Sequence, residues 1–189
     1  MNKLKTGITC MLLFIFLAAC QNNRLSDVDV SFESKDLSYT FRLPKDWETE
    51  EDYQNVFNKA AVFGAVDTNS ISRMFIRTEQ YEENVSEEKL KQAAKEQLEK
   101  YHEELTAEPE VFQANDYTGI YYKGEDLYKR KPVWLHLYFV AVGNQVVGFQ
   151  FQSPKDQSDK KRQELFRQSV QSIAVESKGQ ESSAKESQA

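Results

Sequence analysis

A chain of 189 residues, 40% hydrophobic and 12% aromatic, is about one domain of sequence with enough apolar content to bury a core without staples. Its 24 Lys and Arg stand against 30 Asp and Glu, a net −6 at pH 7; such a surface is on balance repelled by phosphate backbones and anionic headgroups, so no nucleic-acid partner is expected. Two cysteines, Cys10 and Cys20, are too few for a disulfide framework.

The chain opens with Lys3 and Lys5, continues through an apolar run from Ile8 to Phe16, and reaches Leu17-Ala18-Ala19-Cys20. The stretch from Ile8 to Ala19 is too short to span a bilayer core, which takes about 20 residues. A positive start, an apolar stretch and a small-residue ending are the marks of a secretory signal. With its cysteine, the ending resembles the lipobox of bacterial lipoprotein signal peptides. That resemblance implies cleavage between Ala19 and Cys20, lipid of the diacylglyceryl and palmitate type on the Cys20 sulfur, and anchoring to the extracytoplasmic side of the cell membrane. Two acyl chains anchor stably where one is marginal. The competing reading is a plain secretory signal with an incidental cysteine, or a buried helix. Cleavage removes Lys3 and Lys5, which takes the 24 basic residues to 22 against 30 acidic ones, and removes Cys10. The expected organisation is a signal peptide over 1–19, a polar tether over 20–27, a globular domain over 28–175 and a disordered polar tail over 176–189.

Val28, Val30 and Phe32 alternate with polar residues, as do Leu37, Tyr39, Phe41 and Leu43. Period-two alternation predicts two half-buried strands with a turn near Ser34-Lys35-Asp36. Pro44 ends the second, since it lacks the donor a ladder needs, and Trp47 is expected to fold back as a plug. Asp46, Glu48, Glu50, Glu51 and Asp52 cluster around it. Hard-cation loops interleave such ligands with a glycine turn, and none is present, so a solvated loop is expected rather than a metal site. Ala60 to Val66 is a continuous apolar run, a strand covered on both faces. Asp67-Thr68-Asn69-Ser70 is turn chemistry, and Met74 to Tyr81 resumes as a strand.

Ser86 is placed to begin a helix, with Glu87 and Glu88 where the dipole favours negative charge and Val85 and Leu90 placed as a hydrophobic staple. Leu90, Ala93, Ala94, Leu98, Tyr101 and Leu105 mark one face at helical spacing, and Pro109 closes the segment. Tyr117 to Tyr122 reads as a strand, with Gly119 marking a bulge or close packing. Gly124-Glu125-Asp126 reads as a turn. Lys129-Arg130-Lys131 is the densest basic patch; it could touch lipid headgroups or an acidic partner, but such a run is ordinarily solvated. Val133 to Val142 is apolar on both alternating sets, so it needs a layer over each face. Gly143-Asn144 signals a two-residue hairpin into a strand from Val146 to Gln152. A last helix runs to Ile173 and packs through Leu165, Phe166, Ser169, Val170 and Ile173.

Chemistry is sparse. His102 is expected to face solvent on the first long helix. His136 lies mid-strand beside Trp134 and Tyr138, and these three with Trp47 form the candidate ligand crevice. The chain lacks a Gly-x-Ser-x-Gly elbow, a His-x-x-x-His pair, a Cys-x-x-Cys pair and a phosphate-cradling glycine loop. Hence no catalytic residue, metal ligand or cofactor is assigned, and the chain is not expected to be an enzyme.

Two strands, the segment Tyr39-Thr-Phe-Arg-Leu-Pro-Lys-Asp-Trp47, further strands, a helix, a long hairpin and a last helix carrying Phe166-Arg-Gln-Ser-Val-Gln-Ser-Ile173 together resemble the PsbP-like fold. The resemblance spans about Val28 to Val175. That fold is shared by the extrinsic oxygen-evolving subunit of photosystem II and a Ran-binding nuclear import factor. It implies the α+β class, an antiparallel sheet sandwiched between helices, and a binding or assembly role. No residue here matches the family's manganese, calcium or GTPase contacts. The expected function is a lipid-anchored, non-catalytic binding or assembly module of the bacterial envelope, attached to the membrane by its anchor and to an envelope protein partner. Two alternatives are a small-molecule or cell-wall-ligand receptor and an envelope hydrolase. The hydrolase needs His136 clustered with a serine and a carboxylate.

Overall fold

The strand expected to be covered on both faces lies inside a seven-stranded antiparallel sheet. The computed structural model describes residues 24–101, 109–156 and 158–177. Within them the elements run β1 (Leu25–Ser34), β2 (Leu37–Pro44), β3 (Trp47–Thr49), α1 (Tyr53–Val56), β4 (Phe63–Asp67), β5 (Arg73–Gln80), α2 (Glu87–Tyr101), β6 (Glu110–Ala114), β7 (Tyr117–Tyr128), β8 (Lys131–Val142), β9 (Gln145–Pro154), α3 (Asp159–Gln171) and β10 (Ala174–Ser177). The large sheet has the order β3-β4-β5-β9-β8-β7-β6, and a second sheet has the order β1-β2-β10. The class is α+β.

The long apolar strand β8 explains the layering. Leu135, Leu137 and Phe139 face α2, packing with Leu90, Ala94, Leu98, Ile120 and Val146. His136, Tyr138 and Val140 point to the other side, where the cover is mixed. There α3 and the small sheet together bury Phe32, Tyr39, Phe41, Phe149, Phe151 and Phe166 in one aromatic core. The small sheet is thus a layer that the expected helix-only cover lacked. Its central strand pairs with β10 from Leu37 to Thr40 and no further. Beyond that point α3 takes over: Ser169 Oγ donates to the Arg42 carbonyl at 2.6 Å, and the Arg42 amide donates to Ser172 Oγ at 2.8 Å.

Local chemistry sets several boundaries. Ser34 and Leu37 close the first hairpin, with Lys35 at φ 51°. The Lys89 amide reaches Ser86 Oγ at 3.3 Å, a side-chain cap on α2. The Phe112 ring lies over Gly119, where a Cβ would stand 2.4 Å from it, so the glycine permits close packing. Gly143, at φ 56°, leads the β8–β9 turn.

Three expectations are corrected. Gly124-Glu125-Asp126 is not a turn: β7 and β8 pair from Gly119↔Val140 to Tyr128↔Lys131 without a break. The reversal falls on Lys129 and Arg130, at φ 49° and 65°. A two-residue turn with both residues at positive φ favours Asn-Gly, so a Lys-Arg pair gives no turn signal. It costs about 1–2 kcal/mol per residue against a relaxed backbone. Second, β1 begins at Leu25, inside the stretch read as tether. Third, Glu176 and Ser177 belong to β10, paired with Ser38 and Leu37, because β2 offers them a ladder that composition does not reveal. Cys10, Ala19, Cys20, His102 and residues 178–189 lie outside the described residues.

Candidate functional site

The four residues of the expected crevice are distributed over three environments. His136 and Tyr138 are wholly buried under α3. Trp134, two residues along the same face, is half-buried, with its indole between Lys123 Nζ at 3.9 Å and Lys155 Nζ at 4.4 Å. Trp47 is half-buried at the start of β3, its ring against Phe151 and Phe166 at 6.0 and 5.7 Å between centroids. Two stacked rings link the buried pair to Trp47: Phe166 touches His136 on one side and Trp47 on the other, and Phe151 touches Tyr138 and Trp47.

His136 is brought together with a serine and a carboxylate. Its Nδ1 stands 2.9 Å from the Tyr121 hydroxyl, and its Nε2 lies 3.3 Å from Ser153 Oγ and 3.4 Å from Asp159 Oδ1. The last contact falls outside hydrogen-bond geometry. The other Asp159 oxygen accepts from Lys123 Nζ at 2.5 Å. Burial holds His136 below its ordinary value, opposed by Asp159. A neutral ring fits both sides, with Tyr121 donating to Nδ1 and the Nε2 proton facing Ser153 and Asp159. Burial pushes Asp159 up, but His136 and the Lys123 ammonium outweigh it and hold the carboxyl at about 2.

This cluster lacks the geometry of a nucleophilic triad. A triad's imidazole bridges serine and carboxylate through opposite nitrogens. Here both stand on the Nε2 side, Nδ1 belongs to a tyrosine, and Ser153 is 0% exposed, so no substrate reaches its oxygen. The arrangement can tie the first turn of α3 to β7, β8 and β9 through the Tyr121, Ser153 and Lys123 hydrogen bonds, while Asp159 Oδ1 stays buried without a hydrogen bond. It cannot present a nucleophile.

An open cleft of about 290 Å³ lies beside it, lined by the β2–β3 turn (Lys45, Asp46, Trp47), the β4–β5 turn (Asp67, Asn69) and Arg162 of α3. Its walls are internally braced. Asp46, at φ 69°, has its carbonyl held by the Thr68 amide and hydroxyl at 3.1 and 2.9 Å. Asp67 accepts from the Asn69 amide and Ser70 Oγ, and Arg162 forms a two-pronged pair with Asp156 at 2.7 and 2.9 Å. The cleft thus combines an aromatic floor with carboxylates, an amide and cations. Among the described residues no three His, Cys, Asp or Glu side chains come together as a metal site. No described helix is long and apolar enough to cross a membrane.

Sequence reasoning missed Arg162, Asp159 and Lys123, because each gains its role from elements distant in the chain. The one local signal was the strand end Ser153-Pro154-Lys155-Asp156 running straight into a helix.

No family model matches the chain, and no curated protein matches it. Solved structures do. The cyanobacterial PsbP protein CyanoP of Synechocystis superposes with a TM-score of 0.55 at 13% identity, over 82% of this chain and 94% of that one. LpqN of Mycobacterium tuberculosis, described as involved in cell envelope biogenesis, gives 0.55 at 11% identity over 84% and 95%. A Bacteroides thetaiotaomicron protein gives 0.53 at 15% identity over 75% of this chain; the match spans 46% of that chain. At these identities the likeness establishes the PsbP-like fold.

Proposed function

We propose that this chain is a lipid-anchored extracytoplasmic protein that serves as a non-catalytic binding or assembly module of the bacterial envelope. The carrying observation is the placement of the lipobox cysteine. Cys20 stands four residues before Arg24, whose carbonyl already accepts from the Lys45 amide at 2.9 Å. A lipid on Cys20 therefore holds the domain close to the bilayer. The sealed His136 cluster supports a binding role over hydrolysis, and the likeness to an envelope-biogenesis protein supports the location.

In-cell crosslinking of the tethered protein, with mass spectrometry of what it captures, tests this reading against a lipoprotein carrying a swapped domain. One reproducible envelope protein is expected; enrichment of none counts against an assembly role. A receptor role is favoured by one observation, the Trp47 cleft. Quenching of tryptophan fluorescence by a panel of cell-wall fragments and small polar solutes, abolished in Trp47→Phe, is the outcome that role requires. Silence across the panel removes it.

A further inference from the structure

The strands place the β7–β8 turn at the same end of the molecule as the proposed anchor. Leu25, the first residue of β1, pairs with Pro44, the last of β2. Trp47, three residues on, pairs with Asp67 at the end of β4. Arg73, which opens β5, pairs with Gln152, and Pro154, which closes β9, pairs with Val133. The β7–β8 hairpin runs on past Pro154 to the Tyr128↔Lys131 pair, so its tip projects about 7 Å beyond its neighbour at strand spacing. Four residues of chain reach at most about 14 Å, so a lipidated Cys20 turns this end towards the bilayer.

Charge is sorted along the same axis. At the far end, beside the β8–β9 turn, the α2 approach carries Glu82, Glu83, Glu87 and Glu88 against Lys89 and Lys91. At the anchored end Lys129, Arg130 and Lys131 are all exposed, as are Lys160 and Lys161 in the first turn of α3. Several acids here are already engaged: Glu125 with Lys155, Asp156 with Arg162 and Asp159 with Lys123. Asp46 and Asp67 line the cleft at this end, and Asp126 accepts from Gln152 Nε2 and the Leu127 amide. Leu127 is 69% exposed beside the basic tip. The tip also keeps Lys129 and Arg130 in left-handed backbone, where Asn-Gly would be relaxed. Stability alone does not choose those residues.

We propose that this end is a docking face for an anionic phospholipid surface, led by the Leu127–Lys131 tip. The cations meet headgroup phosphates and Leu127 enters the interface. The proposal rests on the anchor reading above, and the bilayer is favoured over an acidic protein because the anchor keeps it within reach at high effective concentration. Each basic residue near an anionic surface is worth roughly fivefold, so reversing three lowers the docked-to-undocked ratio by at least about a hundredfold.

The test uses the full chain, recovered from bacterial membranes and reconstituted in vesicles, with a dye on Leu127→Cys or, as the far-end control, on Glu83→Cys. In phosphatidylglycerol-rich vesicles a lipid-borne quencher is expected to act several-fold more strongly at 127 than at 83. The difference should vanish in phosphatidylcholine vesicles, in the K129E/R130E/K131E variant, and at high salt, which needs no variant. Equal quenching at both sites overturns the proposal, as does a difference that persists in phosphatidylcholine. Protection of 127 only in native envelopes with their proteins also overturns it, in favour of an acidic protein. The mass of the Cys20 peptide reports the anchor separately. Unmodified Cys20 with tip-dependent vesicle binding sinks the anchor alone; lipidated Cys20 with equal quenching sinks the docking alone.

Discussion

The two faces of the large sheet are built differently. On the α3 side, rings close the space: Phe151 and Phe166 stack at 4.4 Å, Phe41 sits edge-on to Phe149 at 5.6 Å, and Phe32 stacks on Tyr39 at 4.7 Å. On the α2 side, aliphatic packing covers β7, β8 and β9. Towards β4 and β5 the same face is left to Arg73, whose guanidinium lies between the Phe57 and Tyr128 rings at 4.1 and 4.5 Å. One face is a core. The other is part core and part surface, which teaches that a strand apolar on both sides demands cover only where it lies.

The largest expected effect is Phe166→Ala, which removes the ring joining Trp47, Phe151 and His136 and should cost about 3–5 kcal/mol in urea unfolding. If the α2 side is the weaker cover, Leu98→Ala should cost less, about 2–3 kcal/mol. Equal losses would erase the contrast between the faces. Acid provides a test confined to the α3 side. His136 is held below its ordinary value of about 6.5, so the unfolded chain takes up its proton first and stability starts to fall below that pH. Asp159, held at about 2, contributes stability that is complete above its ordinary range and is lost as pH falls towards 2. That contribution is about 1–2 kcal/mol. Urea midpoints measured against pH should fall in both windows, and His136→Gln should flatten the upper one and shrink the lower one, since His136 helps to hold the Asp159 carboxyl down.

Arg73→Ala sharpens the α2 side. It unstacks two rings and frees the Val56 carbonyl, which now accepts from Nη2 at 3.0 Å, for about 1 kcal/mol. The smallest effect has the opposite sign. Arg130→Gly relieves a left-handed residue and should stabilise by about 0.5–1 kcal/mol, while weakening vesicle docking. A variant that is stabilised and still docks would separate the strained turn from the proposed face.

Much of this was legible in the residues. Period-two alternation located two of the three strands of the small sheet, Ser86 with its acidic first turn located α2, and the double-sided apolar run from Val133 to Val142 required two layers. These are local signals, since side-chain periodicity is set by the backbone itself. The lipobox resemblance and the expected anchor are equally local. The partners across the fold were not legible. His136 read as one member of a crevice, yet its neighbours Tyr121, Ser153 and Asp159 come from three other elements, and a lone residue type carries no record of what packs on it. Lys129-Arg130 concealed a turn because its residues disfavour the backbone they adopt. Composition made Glu176 and Ser177 a tail; the open edge of β2 made them a strand. What the sequence determined by itself were the elements. Tertiary structure decided which face is sealed, how His136 is silenced and which charges share the end where β1 begins, because those depend on contacts between residues far apart in the chain.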